Sequence, residues 1–78
     1  MPYIAIKAYP KDKAIKEKVA ERISEIFVEE WGCPKEAITI SVEEISPENW
    51  KEEVVDKDIA ENMENMFILS GKNVFDNR

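Results

Sequence analysis

The sequence predicts a small α/β domain of β-α-β order, extended by a second helix. Three features predict it. Two short segments alternate apolar and polar residues, a long segment between them carries apolar residues at helical spacing, and a second helical pattern follows the second alternation. Residues 3–8, YIAIKA, place Ile4, Ile6 and Ala8 on one face and Tyr3, Ala5 and Lys7 on the other, the two-residue period of a strand. Tyr9 and Pro10 end it. Asp12 is then placed to cap a helix over about 13–31, in which Ile15, Val19, Ile23, Ile26 and Phe27 form one apolar stripe that Trp31 extends. Gly32, followed by Cys33 and Pro34, stops that helix.

The second strand is read over 37–44, with Ile38, Ile40 and Val42 on one face and Thr39, Ser41 and Glu43 on the other. The intervening helix is long enough for a crossover, so the expected packing is a right-handed βαβ unit with two parallel strands. After SPEN, a second helix is expected over about 50–69, with Val54, Val55, Ile59, Met63, Met66 and Phe67 as its stripe. Gly71 follows, and 70–78 reads as a short tail. Positions in the stripes make Phe27, Met63, Met66 and Phe67 core or interface residues rather than a ligand box.

A chain of 78 residues with 44% hydrophobic residues and 2 glycines reads as one globular domain, 1–78. A monomer of this size buries only about 60% of the surface its unfolded chain exposes, so disulfides, a metal or a partner subunit usually support the core. Cys33 is the single cysteine and there is no histidine, so neither a disulfide nor a structural zinc site is expected. Sheets of two parallel strands are normally extended and covered. Completion of this one by another copy of the chain is therefore the expected support, and at least a homodimer is predicted. The net charge of −6 argues against nucleic acid or an anionic membrane as partner, and any anion site must rest on a few local cations or backbone donors. No apolar run reaches a membrane span and no signal-peptide pattern is read, so a cytoplasmic protein is expected.

Ordinary catalytic motifs are missing from the sequence. It has no histidine, no glycine-rich phosphate loop and no metal-ligand spacing, so no metal or cofactor is expected. Cys33 sits in a Gly-Cys-Pro turn with no histidine to activate it and reads as a loop residue. Charges such as Glu17, Glu21, Arg22 and Glu25 read as a solvated helix face. What remains is Pro2. Once Met1 is removed, Pro2 carries a free secondary amine held in orientation by its ring and by the strand behind it. An α-amino group has an ordinary pKa of about 7.7 to 8.0, which desolvation or a nearby cation lowers, so such a group serves as a general base near neutral pH. Alone the residue is weak evidence, since about one chain in twenty would carry proline there by chance.

The context adds weight. A Pro2 that opens a strand, a helix of this length, a parallel strand and then an aromatic loop residue resembles the tautomerase superfamily typified by 4-oxalocrotonate tautomerase, over nearly the whole chain. More narrowly, ITISVEEISPENW followed by DKDIAENM is similar to the small bacterial tautomerases that act on phenylpyruvate-type enols. The resemblance implies a β-α-β tautomerase fold assembled as dimers or hexamers, with sites near subunit interfaces. It also implies a small enol or 2-oxo acid substrate, no cofactor, and Pro2 as the base that moves a proton between oxygen and carbon. By the same resemblance Trp50 stands where the family keeps a bulky aromatic beside the proline, desolvating the amine and stacking on an aryl group. Its other reading is a helix-start residue packed on the core. The helix after Trp50 and the lack of a Gly-rich hairpin there favour a dimer over a hexamer.

The sequence departs from the archetype at its arginines. The arginine on the second strand that polarises the substrate carbonyl is matched by Thr39, and the one after the first strand falls in 10–13, where Lys11 and Lys13 are the cations. A lysine binds a carboxylate as a point charge, without the bidentate fork of arginine. Arg22 and Arg78 receive no role. The loss disfavours a dicarboxylate substrate and favours a monocarboxylate enol, with Lys11, Lys13, Thr39 and Trp50 as candidate substrate contacts. Two alternatives remain: a relative that uses the same proline for hydration or dehalogenation, and a non-catalytic oligomeric protein of the same fold. With Met1 retained, the Pro2 nitrogen is a tertiary amide with no basic lone pair.

Overall fold

Strand β1 (Tyr3–Ala8) pairs in parallel with strand β2 (Thr39–Glu44), in register from Tyr3 opposite Thr39 to Ala8 opposite Glu44. This is the central pairing of a computed structural model that describes residues 1–75; the expected tail residues 76–78, including Arg78, lie outside the described residues. The register sorts the strand residues by parity. Ile4, Ile6, Ala8, Ile40 and Val42 share one half-buried face, and Tyr3, Ala5, Lys7, Thr39 and Glu43 share an exposed one.

The connection is helix α1 (Lys13–Ile26), which runs on through Phe27–Trp31 in wider π turns, so the helical span matches the one read from the apolar stripe. Lys16 of α1 reaches Glu44 at the end of β2, which has the parity of Ile40 and Val42; α1 therefore lies over that face. Asp12 occupies the N-cap position, but its side chain makes no capping bond. Gly32, at φ 76°, takes the left-handed conformation that ends the helix, and the Cys33 thiol donates to the Phe27 carbonyl at 3.5 Å across the stop.

The second strand begins two residues later than the alternation predicts. Lys35–Ala37 form a 3-10 turn in which the Ala37 N–H donates to the Pro34 carbonyl (3.0 Å) and the Ile38 N–H to the Lys35 carbonyl (3.2 Å). Those amides are consumed within the turn and cannot join the ladder.

Contacts within the chain gather into two units, Met1–Ser46 and the segment from Pro47 onward. In the second unit the helix starts at Pro47, three residues before the expected position, because a proline has the φ of a first helical residue and lacks only an N–H that a helix start leaves unpaired. Helix α2 (Pro47–Trp50) continues as π turns over Lys51–Ile59 and 3-10 turns over Ala60–Asn65. It stops well before residue 69. Asn62 leaves helical geometry at φ −134°, and Met66 is extended. The expected tail is instead part of a hairpin: β3 (Ile68–Leu69) pairs antiparallel with β4 (Lys72–Asn73), and the Val74 N–H donates to the Phe67 carbonyl at 2.8 Å. Ser70 and Gly71 both have positive φ, 50° and 83°, the geometry of the tightest hairpin turn. Gly71 serves that turn.

Among the described residues the buried apolar side chains are Ile45 and Val54, one in each unit. The α1 stripe stays open: Ile15, Val19 and Ile26 keep 42%, 44% and 55% of their surface, and Trp31 keeps 70%. The space around Gly32 is also open, with no atom beyond its two chain neighbours within 4 Å of where a Cβ would lie. Gly32→Ala should therefore meet no clash and cost only the left-handed strain, about 1 to 2 kcal/mol of unfolding free energy, measured by urea denaturation.

Candidate active site

The candidate site grows from the start of β1. The Pro2 carbonyl accepts the Thr39 N–H at 3.2 Å, so the ladder reaches one residue ahead of the strand and fixes Pro2 against β2. Pro2 is half-buried, whereas Met1 before it is fully exposed, at 101%. The bond whose hydrolysis releases the Pro2 amine thus presents an open flank. Thr39 is exposed beside it. Next along this face the hydroxyls of Tyr3 and Ser41 share a hydrogen bond of 3.2 Å. Sequence reasoning did not single out this pair, because the diagonal that joins the two exists only once the parallel register is known.

The lysines stand at the other end of the strand pair. The Glu44 carboxylate accepts the backbone N–H of Lys11 at 3.0 Å and the Lys16 ammonium at 2.8 Å. The Lys16 hydrogen bond, then that from Lys11, holds the Glu44 carboxyl below its ordinary value of 4.5, against a smaller opposing effect of burial. Lys13 pairs with Glu17 one turn along α1, at 4.0 Å and with both side chains well exposed, which is a weak interaction.

Distance then decides what one chain can do. The six residues of β1 put the Pro2 end and the Lys11 end roughly 20 Å apart. A lysine side chain extends roughly 6 Å from the backbone. The structure brings Pro2 and Thr39 together and leaves Lys11 and Lys13 at the far end, so Pro2 and Lys11 of one chain do not meet on one small acid. Trp50 belongs to the second unit, where it is half-buried and closes the turn Pro47–Trp50. An open groove of about 280 Å³ runs beside α1, lined by Glu21, Ser24, Glu25, Val28, Glu29 and Lys35. Its row of carboxylates repels an organic acid and it contains none of the candidate residues.

Comparison with known proteins fits this architecture. The family described as tautomerase enzyme matches residues 2–56, from Pro2 through β1, α1 and β2 to beyond Trp50. The chain belongs to the tautomerase family. Among curated relatives, the tautomerase PptA of Pectobacterium atrosepticum is 31% identical over 68 residues, covering 85% of this chain and 90% of its own. That of Escherichia coli O127:H6 is 33% identical over 66 residues (82% and 87%), and that of Cronobacter sakazakii 28% over 68 (85% and 90%). The protein is a keto-enol tautomerase, an isomerase, and the expected β-α-β tautomerase fold with two parallel strands and two helices holds. Among the described residues of this tautomerase no helix is long and apolar enough to cross a membrane, and no three metal-ligating side chains gather in one place.

The direction of the Glu44 shift has a consequence for acid stability. A carboxyl held below its ordinary value stabilises the fold while ionised, above 4.5, and this contribution disappears as pH falls through the folded value. Glu44→Gln should be less stable than the parent tautomerase at neutral pH, and the gap in urea midpoint should close as the pH is lowered below 4.5. A gap that stays constant down to acid pH would contradict the shift.

Proposed function

We propose that this tautomerase converts the enol of a small 2-oxo acid, such as phenylpyruvate, into its keto form, with the free amine of Pro2 as general acid and base. The observation that carries the reading is the bond from the Thr39 N–H to the Pro2 carbonyl, which fixes the proline at the head of β1. The Pro2 nitrogen takes the proton of the enol hydroxyl and returns it to the adjacent carbon; an O–H bond breaks, a C–H bond forms, and the amine ends in its starting state. Such a transfer within one substrate needs no cofactor. Thr39 offers a hydroxyl to the carbonyl oxygen where the archetype has arginine. By family resemblance Trp50 is the candidate aromatic face for an aryl substituent of the substrate.

The substrate carboxylate is assigned to Lys11. The roughly 20 Å between the ends of β1 supports a reading in which this lysine comes from a second copy of the chain and the functional unit is at least a homodimer. The open α1 stripe, with Ile15, Val19 and Ile26 exposed, supports a second copy because apolar surface at that spacing is ordinarily buried. Lys13, already paired with Glu17, is the secondary cation.

The test compares ketonisation of phenylpyruvate enol, followed by ultraviolet absorbance, in protein whose intact mass shows Met1 removed and in protein that retains it. The free amine should accelerate the reaction by at least about a hundredfold over the blocked form. Equal rates in both would refute Pro2 as the base.

A further inference from the structure

Resting on the reading of Lys11 as carboxylate binder, we infer that Glu44 is a positioning residue for substrate recognition: its carboxylate holds the loop that presents Lys11, while Lys16 keeps that carboxylate occupied. Three elements meet at this one group. Glu44 ends β2, Lys11 lies in the loop between β1 and α1, and Lys16 stands on the first turn of α1.

The loop is held at its edges by backbone bonds. The Ile45 N–H donates to the Ala8 carbonyl at 2.9 Å, and the Asp12 carbonyl accepts the N–H groups of Ile15 and Lys16 at 3.1 Å each. Between those anchors the contact that reaches the Lys11 backbone is the Glu44 carboxylate, at 3.0 Å. A bond to an ionised acceptor is stronger and shorter than a neutral one, so it localises the Lys11 main chain better than a loop of this kind would localise itself. Asp12 does not share the task, since its side chain makes no capping bond.

Charge explains the third partner. A bare carboxylate bound at the backbone N–H of the substrate-binding lysine would compete for that lysine's ammonium. The 2.8 Å ion pair with Lys16 satisfies Glu44 instead, and no ion pair engages the Lys11 ammonium among the described residues. Lys16 and Glu44 are only partly exposed, at 29% and 36%, so this pair is less screened than Lys13 with Glu17, at 87% and 67%. The arrangement leaves one positive charge available on an anchored backbone, in a chain whose net charge of −6 otherwise opposes organic acids.

The experiment measures kcat and KM for two substrates on Met1-free protein: the enol of phenylpyruvate, which carries a carboxylate, and the enol of phenylacetaldehyde, which does not. Glu44→Ala and Glu44→Gln should raise KM for the carboxylate substrate on the order of fivefold, leave its kcat within about twofold, and leave both constants for the carboxylate-free enol unchanged. Lys11→Ala is the reference and should raise the same KM at least as much. Glu44→Gln keeps the side-chain volume and an acceptor oxygen, and carries the test should Glu44→Ala fail to fold. A raised KM in Lys11→Ala with no change in either Glu44 variant would overturn this inference alone. Unchanged KM in Lys11→Ala would overturn the assignment of Lys11 and this inference with it. Equal losses on both substrates would make Glu44 a purely structural residue and overturn its positioning role.

Discussion

Parallel pairing of β1 with β2 is the constraint from which the rest of the molecule follows. Each residue of a strand advances the chain by about 3.3 Å, so the distance between the head of β1 and the loop after it is set by residue count alone. The pairing register then decides what stands at each end. At the head, the Thr39 N–H meets the Pro2 carbonyl and Tyr3 meets Ser41. At the tail, the Ile45 N–H meets the Ala8 carbonyl and Glu44 meets the loop. The proposed proton-transfer centre and the proposed cationic centre are thereby held on one ruler, too far apart to share a small substrate within one chain.

That separation and the open apolar stripe point to the same remedy. Side chains at helical spacing on α1 that would be core in a larger domain keep around half of their surface, and among the described residues no further strand lies beside the pair. A chain of this size with one cysteine and no histidine has few other means of support. In the proposed reading a second copy supplies both apolar cover and the missing cation, so assembly and catalysis are one requirement. Non-catalytic assembly would need only the cover.

Much of the fold was legible because it rests on local periodicity. Alternation placed β1 at its observed residues, and the stripe from Ile15 to Trp31 with Gly32 behind it placed the first helix over its full helical span. Errors arose where backbone hydrogen bonding overrides side-chain pattern. Ala37 and Ile38 continue the alternation, yet their amides are used in a turn. Pro47 looked like loop and is the first residue of a helix; Met66 and Phe67 continue an apolar stripe, yet the helix has already ended. Two positive-φ residues made a hairpin with only one glycine to signal it. Of the candidate site, Pro2 was legible as a residue type and Thr39, Lys11, Lys13 and Trp50 by family resemblance. The Glu44 cluster and the Tyr3–Ser41 pair were not, since they join residues 33 and 38 apart that only the register brings together.

The central claim is that the proton-transfer centre and the carboxylate-binding lysine come from different chains, and subunit mixing tests it most directly. Chains that retain Met1 and keep Lys11 would be unfolded, refolded together with Met1-free chains carrying Lys11→Ala, and assayed on phenylpyruvate enol. Each mixed assembly would then pair a free Pro2 with an intact Lys11, so activity should rise well above the mean of the two preparations refolded separately. Activity equal to that mean would show that both residues must lie on one chain, and would contradict the shared site.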